Sequence, residues 1–226
     1  MGRYPMHFHL MGESGSRSYL TDCSIHRSYY RAVSLHGTHR ATLSQNVAYD
    51  ITGHAFYLED GVEERNRIEF NLAAHVHVIG TPASSSGQQC QDVDSSEDLL
   101  LPADVTASGF YISNAHNDIV GNAASGGWAG FALPNLPSPV MHHRNLVHDD
   151  SSLVPSARAT LKFNGNSAHS AGYYWFSAGQ VYVGGKLWHP HAGSDLLRYN
   201  PCRTEGRRGR TTMNECERRC QTRPSL

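Results

Sequence analysis

The sequence lacks what a membrane span or a helical bundle requires. Across its 226 residues no apolar run approaches the roughly 20 residues that cross a bilayer. No window stays apolar at 3.6-residue spacing for more than a couple of turns. Charge is scarce, at 17% of residues and a net of −1. No apolar core follows Met1-Gly2-Arg3-Tyr4-Pro5, so no signal peptide is readable. The chain reads as opening inside a repeat, and any signal is expected upstream in a longer parent. There is no CxxC pair among Cys23, Cys90, Cys202, Cys216 and Cys220, which argues against a zinc knuckle. One or two disulfides in an oxidising compartment and free thiols both stay open.

What is present is turn chemistry. Twenty-one Gly and ten Pro, with many Asn, Ser and His, predict numerous turns and short strands. Self-similarity gives those strands an order. Cys23-Ser24-Ile25-His26 aligns with Asn46-Val47-Ala48-Tyr49 at a shift of 23, and Ala32–Gly37 then falls on Ala55–Asp60 without a gap. Further units open at Asn71, Asn122, Asn145 and Asn166, the 51 residues between Asn71 and Asn122 being read as about two units that contain an insertion. Each unit carries two or three period-2 segments, such as Ala55–Leu58 and Tyr173–Phe176. Units of this size match one turn of a parallel β-helix. One coil cannot bury its own inward residues, but stacked coils bury Val33, Leu35, Phe56, Leu58, Ile68 and Phe131 in a column. A β-sandwich would not explain the fixed repeat. The recurrent Asn is read as structural, through tolerance of left-handed backbone and bonding to its neighbour one coil away.

The expected fold is therefore all-β, a right-handed parallel β-helix over residues 1–199 with a long inserted loop at 81–102. Residues 200–226 are expected to form a disordered, basic, Cys-containing tail. From Arg203 onward seven Arg oppose three Glu. Such a tail can attract polyanions, but a solvated tail is the plainer reading, and no nucleic-acid partner is expected. In the loop, Asp92, Asp94, Ser96 and Asp98 alternate as calcium ligands can. The EF-hand positions for Gly and Glu hold Glu97 and Ala103 instead, so only calcium of another geometry stays open.

Particular residues then carry a resemblance. Arg3-Tyr4-Pro5-Met6-His7-Phe8-His9, Ser24-Ile25-His26, Val33–Gly37 and above all Gly53–Asn66 resemble the family of the cell migration-inducing hyaluronan-binding protein, the cell surface hyaluronidase and fibrocystin-L. Asn122–Gly126 and Asn166–Ser170 continue the likeness, over roughly residues 1 to 176. The resemblance implies an extracellular or cell-surface β-helix that handles a glycosaminoglycan or another polysaccharide. It also implies an upstream G8-like domain, which nothing in this chain matches.

A chemical site can be placed by strand alternation. With Phe8, Leu10, Val33, Leu35, Phe56 and Leu58 expected inward, His7, His9, Ser34, His36, Tyr57 and Glu59 face outward. Neighbouring coils lie about 4.8 Å apart, so His36 stands beside Glu59, with Asp60 at the next turn. His9 is expected beside Ser34. Glu59, Asp60 and His36 are the candidate catalytic groups of a glycoside hydrolase of hyaluronidase type. His7, His9, Tyr57 and His54 are the candidate substrate-binding groups, Tyr57 offering a face on which a sugar could stack. A metal bound by the His7-x-His9 pair with Glu59, and a merely polar outer face, are competing readings, and no metal ligand is assigned. A non-catalytic structural or adhesive module is the alternative function. The charges of Glu63-Glu64-Arg65-Asn66 are read as satisfying the turn between coils. Among 15 histidines, His142-His143 and His189-Pro190-His191 are given little weight.

Overall fold

A computed structural model describes residues 4–80, 91–145, 153–172, 178–191 and 193–203. Three strands make each coil. The first coil holds β1 (Met6–Gly12), β2 (Tyr19–Thr21) and β3 (Ser24–Ser28), and the second β4 (Val33–Thr38), β5 (Thr42–Ser44) and β6 (Val47–Thr52). The third holds β7 (Phe56–Leu58), β8 (Arg67–Glu69) and β9 (Leu72–His77). After β10 (Val93–Asp94) in the first insertion, the fourth coil holds β11 (Phe110–Tyr111), β12 (Asp118–Val120) and β13 (Ala123–Gly126). The fifth holds β14 (Phe131–Asn135), β15 (Lys162–Asn164) and β16 (Ser167–His169), followed by β17 (Val181–Trp188) and β18 (Arg198–Asn200).

Equivalent strands pair in parallel, coil upon coil. One sheet runs β1-β4-β7-β11-β14-β17, and the other two run β2-β5-β8-β12-β15 and β3-β6-β9-β13-β16. This is a parallel β-helix. Its interior is a set of side-chain columns. Leu20, Leu43, Ile68, Ile119 and Phe163 stack on one wall. Phe56, Phe110 and Phe131 stack on another, with successive ring centroids 4.8 Å apart and nearly parallel. Val33, Leu35, Phe56, Leu58, Ile68 and Phe131 are all buried, as the alternation predicts. Removing each from water stabilises the coil by about 1.5–3 kcal/mol.

The polar ladder is real, but its spacing differs from the sequence reading. Asn46 Nδ2 donates to Asn71 Oδ1, Asn71 Nδ2 to Asn122 Oδ1 and Asn122 Nδ2 to Asn166 Oδ1, at 2.9–3.1 Å. The 51 residues from Asn71 to Asn122 are thus one coil plus an insertion, not two coils. No coil passes through Asn145, which ends a short 3-10 helix, Met141–Asn145, inside a second insertion between β14 and β15. The left-handed residue is not the Asn but the one before it: Gln45, Phe70, Gly121 and Gly165 have φ of 57–66°. A second rung, in which Asn66 Nδ2 donates to Asn117 Oδ1, lies one turn away and is not marked by the repeat.

The C-terminal part departs from the parallel rule. β18 pairs antiparallel with β17 and with β10, tying the first insertion to the end of the helix. Asp94 pairs with Arg198, and Asp92 accepts from Asn200, so two of the three carboxylates of the calcium-like alternation have protein partners. Cys23 is a free thiol and Cys202 is disulfide-bonded. Tyr173–Phe176, Cys90, Cys216, Cys220 and most of the basic tail lie outside the described residues.

Candidate functional site

The first three strands of the long sheet bring their outward residues together, and register decides who meets whom. His7 pairs with Ser34 and His9 with His36, so the expected neighbour of His9 is corrected by one pleat. The offset is two residues: Gly12 sits against Thr38 rather than Gly37, and an irregularity between His9 and Gly12 adds the second. Ser34 lies beside Tyr57 on the next strand.

That flank is not the open stripe that alternation suggests. Tyr57, Tyr111 and Ala132 form a second core with Leu101, Val105, Leu136, Val140 and Leu187, contributed mostly by the insertions and the C-terminal strands. Tyr57 is 2% exposed and His54 is fully buried, so neither can meet a sugar as expected. The Arg31 guanidinium covers the Tyr57 ring at 4.0 Å. His54 Nδ1 accepts the backbone N–H of Ser108. The sequence equated Arg31 with His54 one coil later, and both indeed point at the same carboxylate. Arg31 forms a two-armed ion pair with Asp104, and His54 Nε2 lies 3.7 Å from that Asp.

His7, His9, His36 and Glu59 do gather. Glu59 Oε2 accepts from Ser34 Oγ at 2.9 Å and lies 3.8 Å from His7 Nε2 and 4.0 Å from His36 Nδ1. His36 Nδ1 and His9 Nδ1 face each other at 3.1 Å. The other side of the His36 ring is fixed: Nε2–H donates to Asp60 Oδ2 at 3.2 Å. Asp60 is wholly buried, so it is a support beneath the opening, not a second carboxylate at a groove. The same Oδ2 accepts the His143 ring N–H at 2.6 Å and its backbone N–H at 3.1 Å.

His143 belongs to the 3-10 helix of the second insertion, and sequence reasoning set it aside. No local signal could have recovered it, because it meets Asp60 across 83 residues of chain. Gly37 leaves the room it needs, since a Cβ there would come within 2.7 Å of the His143 ring. Glu63 is buried too and receives the backbone N–H groups of Gly37, Asp60 and Gly61, a turn-satisfying role as expected. The 3-10 helix also borders a pocket of about 620 Å³ lined in part by Glu97, Leu100, Arg144 and His189. None of the candidate catalytic or substrate-binding residues read from sequence lines it.

Electrostatics divide these groups. Burial raises the Glu59 carboxyl above its ordinary range, against the pull of His36. Burial also acts on Asp60, but hydrogen bonds from His143 and His36 outweigh it and hold that carboxyl below the ordinary range. Burial opposes protonation of His36, yet the Asp60 bond and the Glu59 charge prevail and raise it. His7 is depressed to about 4 by burial and by the neighbouring His9 and His36. A separate group lies on another sheet, where Asp50 meets His77 at 2.9 Å with His75 close by.

The molecule is a parallel β-helix whose first coils carry a histidine and carboxylate cluster. Residues 1–175 match the CEMIP β-helix family, and the chain belongs to that family. It is similar to Communication mutant protein F of Dictyostelium discoideum, 50% identical over 93% of this chain and 18% of that protein. A G8 domain-containing protein of the same organism is 50% identical over 88% of this chain and 17% of its own length. Human fibrocystin-L is 35% identical over 77% of this chain and 4% of its own length. The chain thus spans less than a fifth of the relatives it matches.

Proposed function

We propose that this chain is the β-helix module of an extracellular or cell-surface protein that handles hyaluronan or a similar polysaccharide. The glycan meets the first coils where His7 and His9 reach solvent. The observation that supports this reading is the convergence of His7, His9, His36 and Glu59 on one partly open spot, each held by the coil stack. In the catalytic form of the proposal, Glu59 gives its proton to the glycosidic oxygen as the C–O bond breaks and takes one back from the water that adds to the anomeric carbon, with His36 beside it. Asp60 and His143 act as positioning residues. An upstream G8-like domain and calcium dependence belong to the same proposal for the whole parent protein.

A second reading is a non-catalytic structural or adhesive module. The burial of Asp60 favours it, because Glu59 then lacks an accessible carboxylate partner in its own cluster. The test is the size distribution of defined hyaluronan incubated with the chain, with and without calcium, beside a His36→Ala/Glu59→Ala variant. Chain shortening that the variant abolishes is expected. No shortening by a folded wild type that retains hyaluronan in a pull-down would move the assignment to the second reading.

A further inference from the structure

We propose that His7, His9 and His36 hold a divalent transition-metal ion. The ligand atoms are His7 Nε2, His9 Nδ1 and His36 Nδ1, and one nitrogen from each of the three rings falls within 4.8 Å of the others. Tetrahedral zinc has Zn–N of about 2.0–2.1 Å. Two nitrogens on one such ion therefore stand about 3.3 Å apart, close to the 3.1 Å between His9 Nδ1 and His36 Nδ1.

Proton bookkeeping points the same way. Asp60 can only accept, so His36 carries its proton on Nε2 and turns the Nδ1 lone pair into the cluster. His7 Nε2 is buried without a hydrogen-bond partner, an orphan that a metal bond would satisfy. A carboxylate behind a ligating histidine is the usual outer support of such sites, and Asp60 is itself pinned by two bonds from His143. Three imidazoles favour zinc and its neighbours over calcium, which prefers all-oxygen sets. His9 is exposed, so the ion keeps an open side toward solvent.

This site goes beyond the glycan reading and is read out by the metal itself, so either can fail alone. The experiment titrates the chelator-stripped 226-residue chain with cobalt, followed by visible absorption, and then with zinc against a chromogenic chelator. One equivalent should bind with the intense ligand-field bands of a four- or five-coordinate centre, and zinc should displace it. His9→Ala, at an exposed ring, and separately His7→Ala should abolish the signal while circular dichroism stays unchanged. Asp60→Asn should weaken binding about 10- to 100-fold, as loss of an outer support does. His75→Ala/His77→Ala should change nothing. Absence of a stoichiometric equivalent, or a signal that survives His9→Ala and His7→Ala or disappears with His75→Ala/His77→Ala, overturns the proposal.

Discussion

Arg31 and Asp104 show what a single pair does inside this helix. Both side chains are buried, joined by two hydrogen bonds, with the Tyr30 hydroxyl completing the carboxylate. Breaking a buried pair from one side costs about 3–5 kcal/mol, because the other charge is left without compensation. Arg31→Met should therefore cost that much in urea unfolding. Arg31→Met/Asp104→Leu should cost clearly less than the sum of the two single changes. Additive losses would show that the pair is not coupled. The sequence put Arg31 and His54 at one coil position, but Asp104, 73 residues away from Arg31, had no visible claim on either.

At the scale of the element, the Asn ladder joins the coils. Asn71 gives Nδ2 to Leu43 O and Asn122 Oδ1, and its own Oδ1 accepts from both N and Nδ2 of Asn46. Each buried group left without a partner costs about 1–3 kcal/mol. Asn71→Ala should lower unfolding stability by at least about 2–3 kcal/mol. Asn166→Ala, at the partly exposed end of the ladder, should lose less. Equal losses, measured by denaturant midpoint and slope, would contradict the ladder argument. The recurrence of Asn was legible in sequence. Its count was not, because an insertion of any length can leave the coil and return to the same rung.

For the whole molecule, the insertions turn an outer flank into a second core and bury His54 within it. Burial, aided by the Arg31 charge, holds His54 well below the ordinary imidazole range. Tyr57 and Tyr111 rings and Asp104 are its other neighbours. Its folded-state pKa is depressed, so below about pH 6.5 the unfolded chain takes up a proton that the native state refuses. Stability is then lost as pH falls through that point, with a limiting slope of about 1.4 kcal/mol per pH unit for one proton. The unfolding free energy of the wild type should fall more steeply from pH 7 to 5 than that of His54→Asn. Parallel curves would remove His54 as the acid-sensitive group.

The sequence by itself determined the coil. Period-2 alternation fixed which of Val33, Leu35, Phe56 and Leu58 turn inward, and the repeat fixed that β4 stacks on β7, since both depend only on neighbours along the chain and one coil away. It also brought His36 beside Glu59. Tertiary structure decided the rest. A register one residue off the repeat, with an irregularity near the end of β1, moved His9 from Ser34 to His36. The inserted segments covered Tyr57 and His54 and delivered His143 to Asp60, making a support of a residue read from sequence as catalytic. Insertions carry no periodicity, so where they land is set by the packing of the folded chain and not by the repeat that launches them.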